Sequence, residues 1–411
     1  MDKIAIIGAG VSGLTVANLL KDKYQVKVFE KESVPGGLIR CRWVEGNLFH
    51  LCGGHIFNSH RQDVLDWFWS HFDREAEFQK AERNSVVVFP DGLKVPYPVE
   101  NHLYLFPEEI QKRVVNDLVT LAATGQDGTS NFEEFLQKRF GRTLYELYFR
   151  PYNEKVWRRP LDDVPLSWLA GKLPMPSVEE ILFNNINRVH EKAFVHSSFW
   201  YEKQGGSQLI ADRLSEGLDI TYGAAVHTLD YDGQRWLVAG ESFDAVVFCG
   251  NLKDLPRMLT GIEVEGQMDF IDSLAYHGTT AVLCRIDANP FSWVYLPGCE
   301  HMSHRIICTG NFAPSNNAPG GMSATVEFTD AISLEDIRDS LSRIPFHPQY
   351  LAHHFSAYSY PVQDKETRSH ITALKEKLAP EKLYLCGRFA EWEYFNMDAA
   401  MGSAMDLCKT L

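Results

Sequence analysis

The first thirty residues carry the most regular pattern of apolar and polar positions in the chain. Lys3–Ile7 is a short apolar run typical of a buried parallel strand, and Gln25–Phe29 is a second one. Between them, residues 14–20 have apolar side chains at helical spacing. A turn with the sequence G-A-G-V-S-G, residues 8–13, joins the first strand to this helix. The pattern predicts a strand, glycine turn, helix and strand that open a parallel sheet.

This unit matches the dinucleotide-binding fingerprint in its proper context. Gly8 allows the tight turn, Gly10 lets the backbone approach a pyrophosphate, and Gly13 lets the helix pack closely on the strand. The amino terminus of the helix then faces the phosphates. Glu30 ends the second strand, where an acid can hold the two ribose hydroxyls. We therefore expect a bound dinucleotide.

Further segments are predicted from their periodicity. Two apolar runs at 86–89 and 94–97 flank a Pro-Asp-Gly turn and indicate a hairpin. The remaining predicted elements are helices over 61–84, 107–124, 131–149 and 398–408, and strands over 218–222, 226–231, 235–239, 245–249 and 383–386, with alternating strands and turns over 276–330. The glycine-containing segment 125–130 is predicted to be a flexible loop between two helices.

Composition narrows the function classes. A length of 411 residues predicts two or three domains, and the formal charge of −14 argues against a nucleic-acid partner. We find no apolar run of membrane-spanning length, and the first strand leaves no room for a signal peptide before it. The eight cysteines lack C-x-x-C or zinc-like spacing, so we expect reduced thiols, no metal site and a cytoplasmic protein.

The stretch after Glu30 points to the kind of dinucleotide. Residues 31–37 read K-E-S-V-P-G-G, with a second glycine pair ending at Gly37. A glycine pair in this place resembles flavoproteins of the glutathione-reductase and amine-oxidase type. The resemblance favours FAD over NAD.

Five further pieces resemble the UDP-galactopyranose mutase family in order and in spacing. They are Y-N-E-K-V-W at 152–157, G-G-H-I-F at 53–57, the glycine pair 205–206 with its following helix, Y-P-V at 360–362, and G-R-F-A-E-W-E-Y-F-N-M-D at 387–398. Together they span nearly the whole chain.

The resemblance implies roles for particular residues. The implied catalytic residues are Arg305, His55, Trp157, Tyr360 and Tyr394. The implied substrate-binding residues are Tyr152, Trp157, Arg305, Tyr360, Tyr394 and Asn396. The cofactor-binding residues, from the fingerprint and from the resemblance together, are Gly8, Gly10, Gly13, Glu30, Gly37, Gly54, His55, Gly387, Arg388 and Met397.

The resemblance also implies a reaction. Family members interconvert the pyranose and furanose forms of a nucleotide-diphosphate sugar, with N5 of reduced FAD attacking the anomeric carbon. For this chain it implies a UDP-linked sugar as substrate, an external flavin reductant and a place in surface-glycan biosynthesis. The oligomeric state stays open, with a homodimer as one alternative. In this mechanism Arg305 holds the diphosphate, Trp157 presses the sugar on the flavin, and His55 lies beside the flavin.

One departure from the family pattern affects the substrate site. The family has an arginine in an R-I-P-V-R segment that binds the substrate diphosphate, and here Pro176 stands in its place. Arg158, Arg159 and Lys172 are the candidates to replace it. Two smaller departures are Phe199 or Trp200 near a family tyrosine, and a missing tyrosine after the glycine pair 205–206. The identity of the sugar and of the nucleotide stays open.

The expected fold is α/β, with a Rossmann-type FAD-binding domain, an antiparallel-sheet substrate domain and a helical insertion lobe. The expected FAD domain comprises residues 1–60, 205–255 and 380–411. The helical lobe is 61–190, and the sheet domain is 191–204 with 256–379.

Two other functions remain open from sequence. One is an amine-oxidase or protoporphyrinogen-oxidase-like enzyme that removes hydride from a small substrate, and the other is a flavin-binding scaffold without turnover. Simpler interpretations of single residues also remain: Tyr152 and Trp157 as core aromatics, Arg305 as a solvated charge, and the segment around His55 as a surface hairpin.

Overall fold

The computed structural model describes residues 2–124, 129, 131–164, 166, 176–189, 198–262 and 264–411. Its strands are β1 Lys3–Ile7, β2 Gln25–Phe29, β3 Cys41–Val44, β4 Asn47–His50, β5 Phe78–Glu82, β6 Ser85–Val88, β7 Lys94–Pro96, β8 Ser198–Glu202, β9 Ile220–Thr221, β10 Leu229–Tyr231, β11 Trp236–Val238, β12 Glu241–Phe243, β13 Ala245–Phe248, β14 Leu259–Thr260, β15 Tyr276–Ile286, β16 Trp293–Tyr295, β17 Arg305–Ile307, β18 Met322–Thr329, β19 Gln349–Pro361 and β20 Leu383–Leu385. Its helices are α1 Val11–Leu20, α2 Gln62–His71, α3 Arg74–Glu77, α4 Glu108–Thr124, α5 Phe132–Leu144, α6 Arg150–Trp157, α7 Val178–Asn187, α8 Gln208–Ser215, α9 Leu255–Met258, α10 Glu265–Ser273, α11 Leu334–Ser342, α12 Thr367–Leu378 and α13 Met397–Cys408.

A parallel sheet contains the glycine-turn unit. Its order is β20-β13-β1-β2-β9, and β1 pairs in parallel with both β2 and β13. Ile7 lies opposite Phe29 and Phe248, so the carboxyl ends of three strands meet at one edge. The sheet is buried on both faces: α1, α8 and α13 pack on one, and a separate core that includes Trp236 and Leu374 covers the other. The predicted parallel α/β unit is confirmed.

A second, seven-stranded sheet has the order β19-β15-β18-β17-β16-β6-β7. Its pairings are antiparallel except for that of β16 with β6. Every residue of β18 is buried, which is expected for a central strand covered on both faces. A four-stranded sheet, β12-β11-β10-β14, and the two-stranded pairs β3-β4 and β5-β8 complete the strands of the described residues.

The segment before α4 differs in part from its sequence prediction. The hairpin β6-β7 is confirmed, but it extends the seven-stranded sheet, whereas the expected boundaries assigned it to the helical lobe. Residues 78–82 were predicted to be helical and instead form β5, which pairs with β8. This partner is remote in sequence, so the local pattern around Phe78 did not reveal it.

The helical lobe is built from α4, α5, α6 and α7. Its core contains the fully buried Val114, Leu118, Leu136 and Phe140, which lie on the inward faces of α4 and α5. Of the predicted loop 125–130, only residue 129 belongs to the described part of the chain. No described helix is long and apolar enough to cross a bilayer.

Candidate cofactor and substrate site

The glycine turn between β1 and α1 has three glycines with different roles. Gly8 has φ +105°, a conformation that favours glycine. A Cβ on Gly13 would lie 2.0 Å from the carbonyl oxygen of Gly8, so only glycine permits this approach of helix and strand. A Cβ on Gly10 would meet only Gly37 Cα, at 4.0 Å. The structure thus leaves open space in front of Gly10, where a pyrophosphate is expected.

Glu30 follows β2 and is 6% exposed. Its carboxylate accepts hydrogen bonds from the Ala9 amide at 2.7 Å and the Glu32 amide at 2.9 Å. A carboxylate oxygen can accept a second hydrogen bond, so Glu30 is fixed in place and can still accept bonds from ribose hydroxyls.

Two other predicted glycines pack around the same turn. Gly37 has φ +55°, and a Cβ there would lie 3.3 Å from Gly10 Cα. Gly387 has φ +104°, and a Cβ there would lie 2.7 Å from Ser12 Oγ at the start of α1. No side chain caps the amino terminus of α1, which leaves its amides available to an anion. The donor set and the open space in front of Gly10 fit a dinucleotide pyrophosphate.

A cavity of about 220 Å³ lies where the seven-stranded sheet meets the segment before α13. Its lining includes Gly54, His55, Arg83, Trp293, Tyr295, Arg305, Glu327, Tyr360, Arg388, Tyr394, Asn396, Met397 and Asp398. Eight of the predicted site residues therefore lie together: Gly54, His55, Arg305, Tyr360, Arg388, Tyr394, Asn396 and Met397.

Arg305, at the start of β17, forms an ion pair inside this cavity. Its Nε contacts the carboxylate of Glu327 on the neighbouring strand β18, and its Nη2 donates to the Tyr360 hydroxyl at 3.1 Å. Glu327 is 1% exposed, and His304 Nε2 lies 3.5 Å from its carboxylate. Burial alone would raise the pKa of Glu327, but Arg305 and His304 lower it to about 2. Arg305 is thus a held, inward-facing cation, and its interpretation as a solvated strand-end charge does not fit.

Tyr360 and Tyr394 form a stacked pair beside Arg305, with ring centroids 5.5 Å apart and planes 8° apart. The Arg388 guanidinium lies over the Tyr394 ring at 4.8 Å. Arg388 also donates to the backbone carbonyls of Phe395 and Ser359. In this structure, therefore, Arg388 fixes the loop before α13. A direct contact with the FAD pyrophosphate stays a prediction.

His55 is the half-buried imidazole of the cavity. Its Nε2 is buried and has no hydrogen-bond partner, and burial together with Arg388 lowers the pKa of the imidazole to about 4. A neutral imidazole with an unsatisfied ring nitrogen can hydrogen-bond to a polar ring system that is bound beside it. Gly53 and Gly54, which precede His55, pack closely against the seven-stranded sheet. A Cβ on Gly53 would lie 2.7 Å from Glu327 Oε1, and one on Gly54 would lie 2.6 Å from Ile307 Cγ2. This is a packed interior segment and not a surface hairpin.

The two aromatic residues of α6 lie behind the cavity wall and do not line it. Tyr152 packs edge-on against Tyr295, with centroids 5.6 Å apart, and also contacts the His304 ring. Trp157 is 6% exposed and belongs to the core of the helical lobe. Tyr152 therefore supports the cavity through Tyr295, while contact of Trp157 with a sugar stays a prediction.

The candidates to replace the family arginine lie elsewhere. The Pro176 carbonyl accepts a hydrogen bond from Arg139 on α5. Arg158 reaches the Thr329 carbonyl at 3.4 Å, and Arg159 lines a separate surface depression with Glu133 and Glu154. Lys172 lies outside the described residues.

The cavity residues that were missed from sequence include Arg83, Trp293, Tyr295 and Glu327. Glu327 had a usable signal, since it is a single carboxylate within the otherwise uncharged strand M-S-A-T-V-E-F-T. Arg83 precedes β6 and follows Glu82, a pattern typical of a solvated strand end. Nothing in the neighbouring sequence distinguishes Arg83 from a solvated surface arginine.

Comparisons with known proteins agree with this geometry. A model of the NAD(P)-binding Rossmann-like domain matches residues 6–72. The chain is 24% identical over 427 residues to dTDP-fucopyranose mutase from Escherichia coli, which covers 99% of this chain and 97% of that protein. It is 22% identical over 428 residues to UDP-galactopyranose mutase from Mycoplasma genitalium, which covers 97% of this chain and 92% of that protein.

Solved structures give the same result. A crystal structure of reduced UDP-galactopyranose mutase matches with a TM-score of 0.89 at 25% identity, covering 100% of this chain and 95% of that one. A putative protoporphyrinogen oxidase from Exiguobacterium matches with a TM-score of 0.76 at 14% identity, covering 100% and 98%, and shares the fold alone. Over its whole length the chain is therefore similar, in sequence and in structure, to nucleotide-sugar pyranose mutases.

Proposed function

We propose that this protein is an FAD-dependent mutase that interconverts the pyranose and furanose forms of a nucleotide-diphosphate sugar. The observation that carries the proposal is the cavity in which Arg305, Tyr360 and Tyr394 meet His55 and the amino terminus of α13. Such a group of donors suits a diphosphate leaving group next to a flavin. It does not suit the apolar cleft expected for an oxidase of a small hydrophobic substrate.

The charged and hydroxyl groups have a direct role in this chemistry. When the bond from the anomeric carbon to the diphosphate breaks, negative charge develops on a phosphate oxygen. Arg305 is oriented by Glu327 and stays protonated, so it can stabilise that charge in a site of low dielectric. The hydroxyls of Tyr360 and Tyr394 can donate to neighbouring phosphate oxygens. Asn396, the exposed N-cap of α13, can contact the substrate at the same place.

FAD fits the chain at two places. Gly8, Gly10, Glu30 and the amino terminus of α1 would hold its nucleotide part. His55, Gly54 and Met397 would surround its flavin part. When bound and reduced, FAD supplies the nucleophile, N5, for the anomeric carbon. N5 is a nucleophile only in the reduced cofactor, so the flavin must be reduced beforehand. The reaction itself is redox-neutral and consumes no electrons.

The relatives suggest which substrates to try. They are named for UDP-galactopyranose and dTDP-fucopyranose, so UDP- and dTDP-linked hexoses are the first candidates. The proposal further includes an external flavin reductant, a homodimer, a cytoplasmic location and a role in surface-glycan biosynthesis.

The test is turnover by enzyme in defined redox states. Dithionite-reduced protein is incubated with a panel of UDP- and dTDP-hexopyranoses, and products are separated by chromatography. We expect a furanose product from the reduced enzyme and none from the oxidised enzyme. Turnover by oxidised enzyme with stoichiometric flavin bleaching would overturn the proposal in favour of the oxidase. Flavin content without turnover by either form would favour the scaffold.

A further inference from the structure

Arg83 is a second guanidinium in the cavity, and no carboxylate among the described residues pairs with it as Glu327 pairs with Arg305. Its Nε donates to Ser85 Oγ at 2.8 Å, and its Nη2 donates to the Tyr295 hydroxyl. The guanidinium also lies 5.4 Å from the ring centre of Tyr97 and 5.2 Å from that of Trp293. Among the residues that the structure describes, no carboxylate forms an ion pair with it.

The sheet brings this charge close to Arg305. Tyr295 on β16 lies directly opposite Arg305 on β17, so their side chains are neighbours on one face of the sheet. Because Arg83 donates to the Tyr295 hydroxyl, one tyrosine separates the two guanidinium groups. Burial lowers the pKa of Arg83 and Arg305 lowers it further, but Tyr295 and Tyr97 outweigh both and hold the pKa above its usual value, so Arg83 keeps its charge. Two like charges held this close and partly out of water are costly unless an anion lies between them.

The charge balance of the cavity supports this view. Its charged lining comprises three arginines, Arg83, Arg305 and Arg388, and two carboxylates, Glu327 and Asp398. His55 is neutral at physiological pH, since its pKa is lowered to about 4. Glu327 offsets Arg305, and backbone carbonyls take the donors of Arg388. The charged lining therefore has one net positive charge, and Arg83 is a guanidinium in it with N–H groups left to donate.

We propose that Arg83 is a substrate-binding residue that, with Arg305, clamps the diphosphate of the nucleotide sugar from two sides. This inference rests on the proposed function and assigns the second cation of its diphosphate site. Arg83 has N–H groups left to donate after its bonds to Ser85 and Tyr295, and a guanidinium can bond two phosphate oxygens at once. Tyr295 is a positioning residue that orients Arg83.

The test compares diphosphate binding by matched variants that carry FAD. Arg83→Met removes the charge but keeps the side-chain stem against Tyr97 and Trp293, and Arg83→Lys keeps a charge without the planar fork. Arg159→Met is the control, since Arg159 lines a different depression. The probes are UDP and dTDP, with uridine and thymidine as uncharged competitors. Flavin absorbance and thermal unfolding report whether each variant is intact.

We expect Arg83→Met to weaken UDP and dTDP binding by about tenfold to a hundredfold, the range for losing a charged hydrogen bond. Arg83→Lys should lie between Arg83→Met and the wild type. Nucleoside binding should change less than diphosphate binding, a difference that a general structural defect would not produce. Because Arg83→Met removes one positive charge from the site, the dissociation constant of the diphosphates should also depend less on salt concentration.

Two results would overturn the inference, and they separate it from the proposed function. If the wild type binds the diphosphates and Arg83→Met binds them equally well, Arg83 is not a ligand although the proposed function stands. If the wild type binds neither diphosphate, both fail. Should Arg83→Met lose its flavin, Arg83→Lys decides: wild-type diphosphate affinity in that variant would refute a two-point contact by the planar guanidinium.

Discussion

The glycine turn and the cavity are two binding regions built in different ways. The turn is complete within β1, α1 and β2, and its glycines and acid fall within a single run of residues, 8–30. The cavity takes its lining from the segment after β4, from strands of the seven-stranded sheet and from the segment before α13. In the turn, backbone shape defines the site. In the cavity, paired charges and stacked rings define it.

This difference in construction predicts how each region responds to amino-acid substitution. The turn depends on the absence of side chains, so one added methyl group should act there as a steric block. The cavity depends on groups that hold one another, such as Arg305 with Glu327 and Tyr360. A substitution there should remove a charge or a donor and leave the fold intact. Substitutions at Gly13, Gly10, Glu327 and Trp157 test this contrast.

The largest effect is expected for Gly13→Ala. The added Cβ would lie 2.0 Å from the Gly8 carbonyl oxygen and 3.1 Å from its carbon, and both atoms belong to rigid backbone. Helix α1 would have to move away from β1, at a cost of about 4 kcal/mol or more. We expect little soluble folded protein, as measured by yield and circular dichroism. Wild-type yield and unfolding would show that the turn is more plastic than its geometry indicates.

The matched change Gly10→Ala should affect the cofactor and spare the fold. Here the Cβ has free space in the protein and meets only Gly37 Cα at 4.0 Å. The methyl group would occupy the place expected for the pyrophosphate, so FAD should bind about tenfold to a hundredfold more weakly. Flavin released per protein and thermal unfolding of the apoprotein measure the two effects. Full flavin content would place the pyrophosphate away from Gly10.

In the cavity, Glu327→Gln should destabilise the protein by about 3 kcal/mol at neutral pH, because it leaves the partly buried Arg305 without its counter-ion. The pKa of Glu327 is lowered from 4.5 to about 2, so its stabilising contribution is complete above pH 4.5 and is lost as the pH falls towards 2. The difference between wild type and variant should therefore shrink below pH 4.5. Urea unfolding at several pH values measures it, with the exposed Glu82→Gln as the control. A difference that does not vary with pH would argue against the ion pair.

The glycine turn could be predicted from sequence, whereas much of the cavity could not. The unit around Gly8 and Glu30 was predictable because its contacts are local and each glycine has one physical reason. The cavity was predicted only where a family motif named its residues. Arg83 and Tyr295 become neighbours only through the parallel pairing of β6 with β16, and nothing local encodes that pairing. The same holds for β5, whose partner β8 lies far along the chain.

Trp157 is the residue for which motif and structure differ most. The substitution Trp157→Phe has the smallest expected effect on substrate binding and turnover. The motif implies a contact with the sugar, whereas the indole lies in the core of the helical lobe and is 6% exposed. If the core position holds during catalysis, the smaller ring costs about 1–2 kcal/mol of stability through imperfect packing. Binding of UDP or dTDP and kcat/KM should then change by about twofold or less, within the scatter of neutral changes. Trp43→Phe is a suitable control, because Trp43 is 55% exposed.

The opposite result for Trp157→Phe, unchanged thermal unfolding with a large loss of kcat, would mean that α6 turns Trp157 towards the sugar when substrate binds. The cavity would then be completed by its ligand, whereas the glycine turn is already formed without one.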